Sequence, residues 1–215
     1  MCEEFSGIVA NIPGEGLRHY PGTFTRYHKG LIALNGLKEG AAGSHFVRYE
    51  YKAKDGDYLD CELKIDETRI PSWYEDSAQK VLELIEAWHA TMIVDKDTPA
   101  LIGGRYIIKG EVKIGFADHC KIFVGKKASI EIAELGDNVE FGDIHGSVKT
   151  GDVTGTGSVK TGDVTGTVTM GYVTGTVTTG YVSGTVTTGY VSGTGSVKTG
   201  EIQEGGTVES KKAKK

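Results

Sequence analysis

Gly162-Asp-Val-Thr-Gly-Thr-Val-Thr-Met170, Gly171-Tyr-Val-Thr-Gly-Thr-Val-Thr-Thr179 and Gly180-Tyr-Val-Ser-Gly-Thr-Val-Thr-Thr188 repeat one nine-residue unit three times without a gap. Eleven-residue variants carrying Gly-Ser-Val-Lys-Thr-Gly flank them at 146–151, 157–162 and 195–200. The 55 residues from Gly146 to Gly200 hold 16 Thr, 14 Gly and 11 Val. A period this regular signals a repeat architecture, in which each unit buries its apolar face only by stacking on the next.

Strand alternation assigns the positions. In Tyr172–Thr178 the side chains at 173, 175 and 177 (Val, Gly, Val) share one face, and Tyr172, Thr174, Thr176 and Thr178 share the other. Valine gains most from burial, so the Val face is the expected interior and the hydroxyls face water. Gly175 then marks a close approach of two faces, and Thr179-Gly180 a corner where glycine accepts positive φ. Two units per coil, about 18 residues, stack at a strand spacing of about 4.8 Å. An antiparallel meander is the rival, but Thr-Gly is a poor hairpin turn. A calcium-bound nonapeptide roll needs Asp at every corner. Only Asp152 and Asp163 are available, so no metal and no cofactor is expected.

Ahead of the repeat, 1–100 reads as a small α+β domain. Phe46–Tyr51 and Tyr58–Ile65 alternate as half-buried strands across a six-residue loop. One helix is expected over about 73–93, with Ser72 as cap, Glu75 at capping-box spacing, and Ala78, Val81, Leu82, Ile85, Trp88 and Met92 on one stripe. Asp95–Pro99 ends it. Residues 101–145 read as irregular transition coils and 146–204 as the regular solenoid. The fold class is therefore an α+β domain followed by an all-β solenoid of about five coils. Residues 205–215, rich in lysine, read as a disordered basic tail.

The net charge is −5 overall. Residues 1–145 carry 17 Lys+Arg against 24 Asp+Glu, and 146–200 only three Lys and two Asp. No basic stripe follows a phosphate backbone, which disfavours nucleic acid as a partner. Three widely spaced cysteines, Cys2, Cys61 and Cys120, argue against a disulfide framework and for a reducing compartment. No apolar run reaches membrane-span length, and the first residues lack a secretory profile, so a cytoplasmic chain is expected.

The Val-x-Gly-x-Val spacing, with Gly151-Asp-Val-Thr-Gly155 and Gly162-Asp-Val-Thr-Gly166, resembles the β-helix of bactofilins. That resemblance implies a polymer-forming solenoid. Met92-Ile-Val94, Leu101-Ile-Gly-Gly104 and Tyr106-Ile-Ile108 resemble the leader of uncharacterised phage and environmental-bacterial proteins with C-terminal Gly-Val repeats. That likeness implies a phage origin, and location in the virion or host cytoplasm.

Motifs for chemistry are sparse. The six histidines, at 19, 28, 45, 89, 119 and 145, have no metal-site spacing, and Pro13-Gly-Glu-Gly16 lacks the helix and Lys of a phosphate loop. His119-Cys120 is the one suggestive pair, and an ordinary coil corner accounts for it. No nucleophile is paired with a base, so no catalytic residue is assigned and no enzyme is expected. The expected function is a rigid rod for assembly or surface presentation, its partner a second copy or another protein. Its interaction surface is Tyr172, Tyr181 and Tyr190 with Thr165, Thr167, Thr176, Thr185 and Thr187. Alternatives are an ice-binding protein using the Thr rows, or a phage-encoded inhibitor that captures a host protein or nucleotide through its N-terminal domain.

Overall fold

Polar–apolar alternation in the first seventy residues builds an antiparallel sheet. In the computed structural model, which describes residues 5–22, 27–37, 45–153, 158–191 and 196–212, the chain divides into two units. One takes in the residues up to Lys54 together with Asp60–Met92; the other takes in Asp55–Leu59 and everything from Ile93.

In the first unit β1 (Phe5–Ile12) pairs antiparallel with β2 (Gly16–Pro21), and helix α1 (His28–Leu34) follows. Then β3 (Phe46–Lys54) and β4 (Asp57–Ile65) complete a sheet of order β2-β1-β3-β4. The expected six-residue hairpin loop is a two-residue turn, Asp55-Gly56, with both residues at positive φ. Asp and Gly are the residues that accept this geometry. Helix α2 (Ser72–Ala90) packs on β1 and β2 through Val81, Ile85 and His89. Pro71, not Ser72, occupies the cap position, with extended backbone and no side-chain cap bond. Among the described residues there are thus two helices where one was expected. The seven residues of α1 carry no side-chain cap and no complementary end charge, and Gly30 stands within them, so no sequence signal announces it.

From Ile93 the chain winds as a parallel β-solenoid of about six turns, one more than expected. Its strands are β5 (Ile93–Val94), β6 (Thr98–Ile102), β7 (Arg105–Ile108), β8 (Glu111–Asp118), β9 (Lys121–Val124), β10 (Ser129–Leu135) and β11 (Val139–Ile144). They continue as β12 (Ser147–Thr150), β13 (Ser158–Thr161), β14 (Thr167–Met170), β15 (Thr176–Thr178), β16 (Thr185–Val191), β17 (Ser196–Lys198) and β18 (Thr207–Lys212). Odd and even strands form two seven-stranded sheets, each in chain order. Ser129 pairs Ser147 and Thr167 pairs Thr185, eighteen residues apart. Where an eleven-residue unit intervenes, Ser147 pairs Thr167 and Thr176 pairs Ser196, twenty apart. The surplus residues fall within 154–157 and 192–195, outside the described residues.

The valines turn inward. Val148, Val168 and Val186 stack in one column, Val159 and Val177 in another, and none exceeds 1 % exposure. Val153 and Val173, and Val164 and Val182, form two further ladders of single bridges. One buried valine supplies about 1.5 kcal/mol, whereas ordering each backbone residue costs about 1–2 kcal/mol. A three-residue strand such as β15 therefore exists only inside the stack.

Two details of the unit differ from the alternation reading. The strand drawn through Tyr172–Thr178 breaks at Thr174-Gly175, so Gly175 bends the chain and does not line a flat face. The last position of the unit points inward: Thr150, Thr161, Thr179 and Thr188 are buried, and Met170 takes the same place. The Thr161 hydroxyl donates to the Gly162 carbonyl at 3.0 Å, so its methyl can face the core.

Among the described residues no glycine of the repeat has positive φ. They are glycines because the coils touch. A Cβ on Gly189 would lie 2.6 Å from the Gly171 carbonyl oxygen and one on Gly200 2.8 Å from that of Gly180. One on Gly184 would come closer still to the Gly166 carbonyl. Glycine here answers a contact with the preceding turn. Gly184→Ala is therefore expected to lower unfolding free energy by about 2 kcal/mol, read from the urea midpoint. A midpoint unchanged from the native chain would contradict the close approach.

Candidate functional site

The solenoid exterior is a register of like residues. On the even-strand sheet Ser147, Thr167, Thr185 and Thr207 follow one another, and beside them Lys149, Thr169, Thr187 and Glu209. A Thr-x-Thr surface thus spans two rungs, Thr167/Thr169 and Thr185/Thr187. Thr176 lies on the other sheet, between Ser158 and Ser196. Thr165 sits at a bend, its hydroxyl 2.8 Å from Nδ1 of His145.

The tyrosines do not form one row. Tyr172 precedes Val173, which bridges Val153 and Val191, whereas Tyr181 precedes Val182, which bridges Val164 and Ile202. Tyr172 falls between an even and an odd strand and Tyr181 between an odd and an even one, so they occupy opposite edges of the coil. Tyr190 follows Tyr172 on its edge by backbone position; its side chain lies outside the described residues. Tyr172 and Tyr181 are 37 % and 51 % exposed.

Charge organises the earlier turns. Lys113, Glu131 and Lys149 align in register on the even sheet, with Lys149 Nζ 2.6 Å and Lys113 Nζ 3.9 Å from the Glu131 carboxylate. The Lys149 hydrogen bond holds the Glu131 carboxyl below its ordinary range. Asp152 and Asp163 each accept the backbone N–H one turn on, from Tyr172 at 2.7 Å and Tyr181 at 2.9 Å. Asp163 itself donates its backbone N–H to Asp143 at 2.8 Å. These aspartates staple turn to turn.

His119 and Cys120 part company. His119 turns outward at positive φ and bonds Asp118 at 2.9 Å, while Cys120 points into the core, where burial pushes its thiol up to about 11. Among the described residues no three His, Cys, Asp or Glu groups converge on a metal position, and no helix is long and apolar enough to cross a membrane.

The first unit gathers chemistry that linear spacing hid. His19 on β2 stands 2.6 Å from the Tyr49 hydroxyl on β3, with the Trp88 ring of α2 at 5.5 Å. Next along α2, His89 meets the rings of Phe5 and Tyr51 edge-on and lies 3.8 Å from the Cys61 sulfur. His28 Nε2 meets the Tyr49 carbonyl at 3.1 Å, and Arg48 grips Glu67 through two nitrogens at 2.9 Å. Separately, Asn11, Leu17, Ser77, Lys80, Glu83 and Leu84 border an open groove of about 530 Å³. The only sequence signal for the cluster was a concentration of His and aromatic residues in 1–92. Their meeting depends on strand pairing that spacing does not reveal.

Burial lowers His19 to about 4 from an ordinary value of 6.5. A histidine held neutral in the fold takes up its proton in the unfolded chain first. It therefore stabilises the fold above pH 6.5, and that contribution is lost as pH falls toward 4. The urea midpoint is expected to drop between pH 6.5 and 5, and the drop to shrink in His19→Gln. An identical pH slope in that variant would contradict the assignment.

Comparison with known proteins returns no matching family model, no similar curated protein and no similar solved structure, so the likeness to bactofilins and to phage repeat proteins rests on the quoted motifs alone.

Proposed function

We propose that this chain is a non-enzymatic structural or interaction protein whose solenoid serves as a rigid rod, for assembly or for presenting a surface. The observation that carries this reading is the unbroken in-register stack, with valine columns sealed at 0–1 % exposure through rungs of both eighteen and twenty residues. Such a stack resists bending, because each turn is bonded to its neighbours along two sheets. Its exterior is mostly hydroxyls, with charges of both signs on the earlier turns, so adhesion falls to the exposed aromatic side chains. Aromatic residues concentrate binding energy at interfaces. Tyr172 with Tyr190 on one edge, and Tyr181 on the other, are the contact residues in this reading, and a second copy of the chain is the partner.

A second reading, ice binding, draws on the register of Thr167/Thr169 with Thr185/Thr187. The flanking rungs replace Thr169 by Lys149 and Glu209, which keeps the array short. Thermal hysteresis in a freezing assay separates this reading from the first.

Mass in solution, measured by sedimentation over a concentration series, tests the proposal. Self-association above the 23.0 kDa monomer is expected, and it is expected to weaken in the double variant Tyr172→Ser, Tyr190→Ser. A monomer at every concentration would overturn assembly through copies of this chain.

A further inference from the structure

Cys61 projects from β4 and His89 from the last turn of α2, and Sγ lies 3.8 Å from Nε2. The imidazole is 6 % exposed. It meets two rings edge-on, Phe5 at 5.1 Å and 90° and Tyr51 at 5.2 Å and 82°. The two rings restrict its swing while Nε2 meets the sulfur. Cys61 is half-buried, on the outermost strand of the sheet. A sulfur within reach of solvent and an oriented, buried base beside it constitute a nucleophile–base pair.

The surroundings define the electrophile. Burial, and then the negative charges of Cys61, Glu86 on α2 and Asp60 on β4, push the Tyr51 phenol on β3 up to about 12. Lys54 on β3 is paired with Asp60 at 2.8 Å, and Glu62 stands near that lysine. These carboxylates give the surroundings of the sulfur a negative character that repels anionic reagents.

We infer that Cys61 is a site of thiol–disulfide exchange with small uncharged disulfides, His89 serving as its base. The Cys61 sulfur attacks one sulfur of the disulfide. A new S–S bond forms as the old one breaks, and the departing thiolate takes the electron pair. The thiol proton passes to Nε2 of His89 and from there to the departing thiolate. The products are a mixed disulfide on Cys61 and one free thiol. Cys120, sealed in the solenoid core, does not compete.

The test treats the full chain with dipyridyl disulfide across a pH series and follows each cysteine by peptide mass mapping. At pH 7, Cys61 is expected to react about tenfold faster than free cysteine, the size of effect an assisted thiolate provides. In His89→Gln, with its circular dichroism unchanged, the rate is expected to fall to that of free cysteine and its pH inflection to move upward. Native Cys61 reacting no faster than free cysteine would overturn the inference, as would a folded His89→Gln variant of native rate. The native profile needs no variant, so a misfolded substitution leaves the first criterion standing.

Discussion

Successive turns of the solenoid meet backbone to backbone at three columns of glycine, 146–166–184, 151–171–189 and 162–180–200, and the rest of that unit follows from this contact. The same carbonyls that exclude a side chain accept the next turn's hydrogen bonds: Gly166 from Thr185 at 2.9 Å, Gly171 from Gly189 and Gly162 from Gly180 at 3.0 Å each. With the turns pulled this close, the two sheets face each other across a lumen that four valines per coil fill. Larger side chains appear inside mostly in the earlier turns, where Ile132, Phe141 and Ile144 occupy the core; among the regular units Met170 is the exception. The regular turns are thus a narrowed continuation of a roomier start.

Register has a second guarantor outside. A slip of one residue would place every valine in water, and in the early turns it would also break the Lys113–Glu131–Lys149 ladder and unseat the aspartates from their N–H donors. In the regular turns tyrosine replaces aspartate at the second position, as Tyr172 and Tyr181 do. Those turns exchange a side-chain staple for exposed aromatic surface, a change that makes sense where surface is what the coil supplies.

The valine interior and the parallel winding were legible because a nine-residue period repeats without error, and valine and threonine differ sharply in their gain from burial. Corners were less legible. Alternation was carried through Thr174-Gly175 as though the strand were straight, which hid the inward last position and grouped three tyrosines into one surface when nine residues is half a coil. Glycine was credited with positive φ, although its reason here lies in a residue eighteen or so positions earlier, which local pattern cannot show. In the first unit, α2 announced itself through its apolar stripe. The seven residues of α1, with neither cap nor end charge, did not. His19, Tyr49, Cys61 and His89 come from three strands and a helix, and pairing alone brings them together.

Cross-linking tests the winding most directly. Parallel neighbours sit at the Cα separation a disulfide spans, and Thr167 pairs Thr185 in this fold, whereas Thr169 and Thr176 lie on different sheets. Under mild oxidation the Thr167→Cys, Thr185→Cys variant is expected to close an internal disulfide, and Thr169→Cys, Thr176→Cys to remain reduced. Closure of the second pair and not the first would mean antiparallel hairpins, and the solenoid would be wrong.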